Sequence, residues 1–177
     1  NGQVLTLETS EQVPSALLAL AGLTLNSNDR ILSNGLPVAP NISLTTSPIT
    51  LQLRRAVQLT LTTVDGQQQV RSSAFTVGEL LNELSIRLRA GDKTQPNINS
   101  AITEGMNITI VQAQTITVNV EGKSVQIQSS ARTIGEALAE AGVPLLGLDY
   151  SVPAENEPLP ADGQIQVEMA PIQPAQI

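Results

Sequence analysis

The chain has 177 residues, a formal net charge of −7 at pH 7, no Cys, no His, no Trp, one Phe and one Tyr. The lack of Cys and His excludes a disulfide framework, a thiolate nucleophile and the commonest general base. The negative charge argues against nucleic acid and anionic membranes, and the longest apolar run, residues 16–23, is too short to span a bilayer. We therefore predict no cofactor, no nucleic-acid partner and no membrane insertion.

A hexapeptide occurs twice, as TVGELL at 76–81 and as TIGEAL at 133–138, about 57 residues apart. The flanking residues also align, and residues 1–22 match residues 121–142 without gaps. The chain is therefore predicted to contain three repeats and a Pro-rich exit linker. These are repeat one (1–56), repeat two (57–114), repeat three (115–170) and the linker (171–177).

Repeat one begins with a predicted hairpin turn at Asn1-Gly2, followed by a strand that includes Leu5 and Leu7. A helix starts at Pro14, which suits the first helical position, and ends at Gly22. If Asn1-Gly2 is a turn, repeat one lacks its opening strand. We then expect an alternating apolar strand before Asn1 in the full-length protein, or one supplied by a neighbouring molecule.

Repeats two and three each begin with a predicted hairpin. The turns of these two hairpins are predicted at Asp65-Gly66 and Glu121-Gly122, dipeptides that tolerate positive φ angles. In repeat three, Ile116, Val118 and Val120 alternate with polar residues, which predicts a strand with one buried face. A second strand with the same alternation follows each turn.

The repeated hexapeptide then predicts a helix start. Thr76 precedes Glu79, and Thr133 precedes Glu136, by the three residues of a capping box. A Thr nucleophile with a Glu base is the catalytic alternative. We favour the capping box because each half has a backbone partner. The predicted apolar stripes are Val77/Leu80/Leu81/Leu84, Ile134/Ala137/Leu138/Ala141 and Pro14/Leu17/Leu18/Ala21.

Each repeat closes with a loop containing Asp29, Asp92 or Asp149, for which we predict a turn role. An alternating strand follows, and the right-handed crossover rule brings it parallel to the first strand. The order hairpin, helix, loop, strand predicts an α+β protein of tandem ubiquitin-like β-grasp repeats. Short joins between repeats predict an elongated arrangement. The last strands are Ile49/Leu51/Leu53, Met106/Ile108/Ile110 and Ile165/Val167/Met169.

Two clusters of charge suggest binding. A basic cluster on repeat two could dock an anionic wall polymer, although a solvated loop is the simpler interpretation. Its members are Arg71, Arg87, Arg89 and Lys93. An acidic cluster in repeat three could hold calcium, but its spacing is not that of a calcium-binding loop, and we predict no metal site. Its members are Asp149, Glu155, Glu157 and Asp162.

These motifs resemble the YabE-like repeats, a domain of unknown function (DUF348) found in resuscitation-promoting factors and related Gram-positive surface proteins. A V/I-x-V-x-V-[DE]-G-[KQ] hairpin and a T-[VI]-G-E-[AL]-L helix start carry the resemblance, which covers repeats two and three fully and repeat one less well. The resemblance implies a ubiquitin-like fold and a location outside the cytoplasmic membrane. It also implies a neighbouring G-five domain and, often, a peptidoglycan-cleaving domain beyond it. The family's repeats contribute no catalytic residues, so none are assigned.

The sequence therefore predicts a non-catalytic extracellular tandem module that spaces or positions a C-terminal, cell-wall-acting partner domain at a Gram-positive type cell surface.

 The first alternative is a specific binding module for cell-wall polymer or a protein partner. A further alternative is part of a peptidoglycan-cleaving enzyme whose chemistry lies outside these residues. The partners expected are peptidoglycan, an anionic wall polymer or a linked catalytic domain.

Overall fold

The computed structural model describes residues 4–170, which form three short helices and three sheets. The sheet orders are β2-β1-β3, β5-β4-β7-β6 and β10-β11-β8-β9. In chain order the elements are α1 (Pro14–Leu20), β1 (Arg30–Ser33), β2 (Leu36–Val38), β3 (Leu51–Arg54), β4 (Val57–Thr63), β5 (Gly66–Ser72), α2 (Val77–Glu83), β6 (Lys93–Gln95), β7 (Asn107–Val111), β8 (Gln114–Val120), β9 (Lys123–Ser129), α3 (Ile134–Glu140), β10 (Tyr150–Val152) and β11 (Gln164–Glu168).

The described residues group into two compact units. One unit contains the residues up to Leu61 together with 67–85 and 98–108, and the other contains 62–66, 86–97 and the residues from Thr109 onward. The repeat boundaries at 56, 114 and 170 and the elongated arrangement stay predictions, and the exit linker lies outside the described residues.

Repeat three shows how the predicted order becomes a fold. Strands β8 and β9 pair antiparallel around Glu121-Gly122, whose positive φ angles of 48° and 79° suit the tight turn. The last strand, β11, pairs parallel with β8, as the crossover rule predicts. Helix α3 covers one face of the sheet. Its core residues are Ile116, Val118, Ala131, Ile134, Ala137, Leu138, Ile165 and Val167.

Repeat two has the same pattern. Strands β4 and β7 are neighbours in its sheet, and Leu59, Leu61 and Ile108 are fully buried on one face. Helix α2 buries Val77 and Leu80 against that face. The predicted α+β class with tandem ubiquitin-like β-grasp units is confirmed.

Repeat one departs from the prediction at its start. The segment with Leu5 and Leu7 is not a strand, and both side chains are exposed. An isolated strand leaves its backbone groups unpaired, and among the described residues none pairs with this segment. Strand β3 pairs with β1 only, so its second edge is open within residues 4–170. The predicted turn at Asn1-Gly2 lies outside the described residues, and the strand expected before it stays a prediction.

Four strands lie where the sequence analysis expects only loops. Strands β1, β6 and β10 follow Asp29, Asp92 and Asp149 directly, and each pairs antiparallel with the last strand of its repeat. In repeat one, β1 also forms a hairpin with β2 around Asn34-Gly35, whose φ angles are 50° and 79°. Strands β1, β6 and β10 begin at the residue after the Asp, which is Arg30, Lys93 or Tyr150.

Candidate functional site

The repeated Thr-Glu pairs are helix caps. The Thr76 hydroxyl accepts from the Glu79 N–H at 3.2 Å, and the Thr133 hydroxyl accepts from the Glu136 N–H at 3.3 Å. Each carboxylate accepts from the N–H of the residue before the capping Thr, Phe75 for Glu79 and Arg132 for Glu136, rather than from the N–H of the Thr itself as a capping box predicts. Both halves of each pair are thus engaged with backbone, which supports the structural role over the catalytic one.

The predicted turn aspartates also join consecutive repeats. Asp29 Oδ1 accepts from the N–H of Ala56 at 2.8 Å, and its Oδ2 accepts from the N–H of Asn26 at 3.0 Å. Asp92 repeats this arrangement with Ala113 and Arg89, both at 2.8 Å. Ala56 and Ala113 are the residues next to the first strands of repeats two and three. Each Asp therefore fixes the point at which the next repeat begins.

Asp149 makes the same pair of bonds at the end of repeat three. Its Oδ1 accepts from the Ala170 N–H at 2.8 Å and its Oδ2 from the Leu146 N–H at 3.1 Å. The predicted turn role is confirmed for all three aspartates. The long-range partner of each Asp, 21 to 27 residues away in sequence, is a feature that the sequence analysis missed.

Hydrogen bonds shift the acidity of two of these groups. Burial of Asp29 opposes its ionisation, but hydrogen bonds from Ala56 and Arg55 outweigh burial and hold its pKa below the ordinary value. For Asp92, the N–H of Ala113 and then that of Arg89 lower the pKa of the carboxyl. Both groups are therefore carboxylates at neutral pH, which strengthens the bonds they accept.

We call the contact between an Asp and the residue that starts the following segment a joint. At the joints of Asp29 and Asp92, an ion pair connects the two repeats. Arg30, the residue after Asp29, pairs with Glu83 and lies 3.4 Å from Glu79. Lys93, the residue after Asp92, pairs with Glu140 at 2.6 Å. Glu83 and Glu140 occupy equivalent places at the ends of α2 and α3, and each also accepts from a Ser hydroxyl of its own repeat. The Lys93 hydrogen bond, followed by that of Ser129, lowers the pKa of Glu140.

Close backbone contact completes each joint. The Asn28 amide donates to the carbonyl of Arg71 at 2.6 Å. At the equivalent place in repeat two, Gly91 has φ +82°, and a Cβ there would lie 2.6 Å from the carbonyl oxygen of Gln128. Gln128 is the equivalent of Arg71. At both joints, the residue before the Asp therefore lies against the same backbone carbonyl of the next repeat, although its side chain differs.

The predicted basic cluster is not a single array of free cations. Lys93 is paired with Glu140, and Arg71 belongs to the other compact unit, where its guanidinium donates to the carbonyl of Ala56 at 3.4 Å. Arg87 and Arg89 are exposed, and within residues 4–170 their side chains form no ion pair or hydrogen bond. The polymer-binding role of the four residues stays a prediction.

The concave surface of the first unit is shallow. A depression of about 450 Å³ is lined by Arg30, Phe75, Glu79 and Glu83 among others. The Arg54 guanidinium lies 4.2 Å from the centre of the Phe75 ring and donates to the carbonyls of Ser73 and Ala74. These charges have protein partners, and the depression has no free nucleophile or base. Among the described residues, no three carboxylates converge as metal ligands, and no helix is both long and apolar enough to cross a membrane.

Tandem β-grasp units with a repeated joint define a ubiquitin-like repeat protein. The family model of the G5-linked ubiquitin-like domain, DUF348, matches residues 63–99 and 116–154. The resemblance noted in the sequence is therefore confirmed for these two segments. The matched segments lie within repeats two and three.

Three curated relatives are similar to the chain in sequence. The chain is 31% identical over 104 residues to a Bacillus subtilis (strain 168) protein named for cell wall shaping, YabE, covering 59% of this chain and 26% of the relative. It is 27% identical to resuscitation-promoting factor Rpf2 of Corynebacterium glutamicum, covering 95% of this chain and 43% of that protein. It is 26% identical to RpfB of Mycolicibacterium smegmatis, covering 94% and 44%. The chain spans less than half the length of these relatives.

Proposed function

We propose that the chain is a non-catalytic extracellular module that spaces or positions a C-terminal, cell-wall-acting partner domain at a Gram-positive type cell surface. The observation that supports it is the joint made by Asp29, Asp92 and Asp149, which fixes where each following segment starts. A recurring joint serves to hold successive units at defined positions. The names of the relatives, cell wall shaping protein and resuscitation-promoting factor, support the location and the wall-acting partner.

A domain replacement tests the spacer role. In the full-length protein, residues 57–170 are replaced by two unrelated ubiquitin-like domains of the same combined length. A spacer depends on length and stiffness rather than on surface chemistry, so the replacement should keep the wall-directed activity of the full-length protein in cells. Deletion of the same residues should reduce that activity. Activity lost on replacement and on deletion alike would contradict the spacer role.

The second candidate is a binding module for an anionic wall polymer. Arg87 and Arg89 support it, because they are exposed cations without ion pairs among the described residues. Reversal of both to Glu should abolish retention of the protein on purified peptidoglycan. Lys123→Glu, an exposed cation in the β8–β9 hairpin, is the matched control and should leave retention unchanged. Wild-type protein that is not retained at all would contradict this candidate and favour the spacer.

We place the chemistry of any peptidoglycan-cleaving activity outside these residues. The caps occupy both Thr-Glu pairs, and the joints occupy Asp29, Asp92 and Asp149, so these repeated carboxylates are engaged in structural roles. A test is to assay the chain and the full-length protein on the same peptidoglycan. Turnover by residues 1–177 alone would contradict this assignment.

A further inference from the structure

In repeats one and two, polar side chains on either side of the joint Asp contact the repeat that follows. We call this surface the exit face and define it by four alternating positions that start three residues before the joint Asp. The exit faces are residues 26, 28, 30 and 32 in repeat one, 89, 91, 93 and 95 in repeat two, and 146, 148, 150 and 152 in repeat three. Leu32, the last position in repeat one, is buried in the core and takes no part in the contact. In repeat one, Asn28 and Arg30 contact repeat two. In repeat two, Lys93 bonds to Glu140, and Gln95 accepts from Arg132 at 2.6 Å.

The exit face of repeat three is apolar at all four positions. The exposed fractions are 70% for Leu146, 84% for Leu148, 57% for Tyr150 and 55% for Val152. Tyr150 and Val152 lie on the same side of β10, because Ser151 between them is buried in the core. A group of large apolar side chains left in water marks an interaction site more often than chance exposure.

The two hydrogen bonds of the joint Asp are present beside this face. Asp149 holds the N–H of Ala170 just as Asp92 holds that of Ala113, with the same distance of 2.8 Å. The chain thus leaves repeat three by the path that leads, in repeats one and two, onto the next folded unit. By sequence position this surface is equivalent to the exit faces of repeats one and two, and it differs from them in carrying four exposed apolar side chains.

We propose that the exit face of repeat three docks the folded domain that follows it in the full-length polypeptide. That domain presents apolar side chains where repeats two and three present Glu83 and Glu140. This inference rests on the proposed function, since a positioned partner needs a fixed contact. The relatives leave room for such a domain, because the chain spans 26% to 44% of their length.

The change from ions to apolar groups has a physical consequence for the docked state. Salt screens exposed ion pairs, whereas burial of apolar area does not depend on opposite charges and is not screened. A domain held on Leu148 and Tyr150 therefore stays docked at ionic strengths that weaken the Lys93–Glu140 pair.

The test uses the full-length protein with two spin labels. One label is placed at Lys123→Cys, an exposed position in repeat three, and the other on a surface position of the following domain. Residues 1–177 contain no Cys that would need removal. The distance distribution is measured by pulsed electron paramagnetic resonance for the wild type and for Leu148→Asp/Tyr150→Thr. The matched control is Ile42→Thr/Val64→Asp, two large apolar side chains that are each 66% exposed outside the exit face.

The expected result is one narrow distance in the wild type and the control, and loss of that peak to a broad distribution in Leu148→Asp/Tyr150→Thr. Because both altered side chains are exposed, circular dichroism should show the same melting temperature for repeat three. A broad wild-type distribution, or one unchanged by the exit-face variant, overturns the docking proposal and leaves the spacer role intact. A narrow peak that depends on protein concentration also overturns it in favour of a second copy. A full-length sequence with no folded domain after residue 177 overturns both this inference and the proposed function.

Discussion

Asp29 combines a turn role with a long-range role in one side chain. Its carboxylate is 1% exposed and accepts from the N–H groups of Asn26 and Ala56 and from the Arg55 guanidinium. Asp29→Asn keeps one acceptor but removes the charge that strengthens these bonds. We expect it to lower the free energy of unfolding by about 1 to 2 kcal/mol at pH 7, measured by urea denaturation. Asp65→Asn, in an exposed turn, should have no comparable effect.

The same carboxylates set the response of the protein to acid. A group whose folded-state pKa is lowered stabilises the fold above its unfolded pKa, which is about 3.9 for Asp, and loses that contribution as pH falls through the folded value. Asp29 and Asp92 both have lowered pKa values. The wild type should therefore lose stability as pH falls below about 4, and Asp29→Asn/Asp92→Asn should show a shallower loss in melting temperature. Equal slopes for the two proteins would contradict this assignment.

The helix caps can be tested by both loss and gain. Thr133→Ala removes the acceptor for the Glu136 N–H and should destabilise the protein by about 1 kcal/mol. Helix α1 starts after Val13, which makes no side-chain cap, so Val13→Thr should stabilise it by about 0.5 to 1 kcal/mol. Thermal unfolding measures both changes, with the exposed Thr103→Ala as the control. A destabilising Val13→Thr would show that the start of α1 cannot accept this cap geometry.

At the scale of elements, Gly91 reports on the joint between repeats two and three. Gly91→Ala would combine a positive φ with a Cβ only 2.6 Å from the Gln128 carbonyl oxygen, whereas Gly105→Ala has a similar φ and nothing within 4 Å. We expect about 1 kcal/mol of destabilisation for Gly105→Ala from backbone strain alone. Gly91→Ala should exceed it by at least about 1 kcal/mol, because the contact lies below normal separation. Equal losses of unfolding free energy for the two variants in urea would mean that the backbone at the joint can move away from the added Cβ at no cost.

The sequence predicts the hairpins, the helices and the parallel strand because each has a local signature or a long apolar alternation. It does not predict β6 and β10, and the reason is physical. Each is three residues long, and the single side chain that it buries is polar, Thr94 or Ser151. Neither hydroxyl has a hydrogen-bond partner among the described residues. A strand of this kind has no apolar alternation for a sequence pattern to detect.

Each joint likewise has one hydrogen bond that the local sequence can predict and one that it cannot. The turn role of Asp92 follows from its bond to the nearby Arg89 N–H, which a sequence pattern can indicate. Its bond to Ala113 depends on how repeat two folds and could not be predicted locally. The hairpin of β1 and β2 is different, because Asn34-Gly35 is a strong turn signal that the repeat alignment obscures.

At the scale of the whole molecule, equivalent joints predict that a repeat can be removed in phase. Deletion of residues 57–113 joins Ala56 to Gln114, so Asp29 keeps its backbone partner and Arg30 can pair with Glu140 instead of Glu83. We expect a folded protein with a cooperative melting transition. Deletion of 57–106 should aggregate or melt without cooperativity, because it leaves the whole of β7 without its neighbouring strands β4 and β6. Loss of folding in both deletions would contradict the equivalence of the joints.

The exit face also bears on how such a chain can change in length. Arg30 and Lys93 of the first two exit faces pair with a Glu that both α2 and α3 carry, so duplication or loss of repeat two keeps this ion pair matched. The apolar face of Leu146, Leu148, Tyr150 and Val152 does not match the Glu at the end of α2 or α3. Recombination can therefore vary the number of repeats ahead of repeat three without losing the ion pair, whereas a further copy placed after repeat three would leave its apolar side chains facing that Glu. These four apolar side chains would therefore disfavour the insertion of another copy of the same repeat at this position.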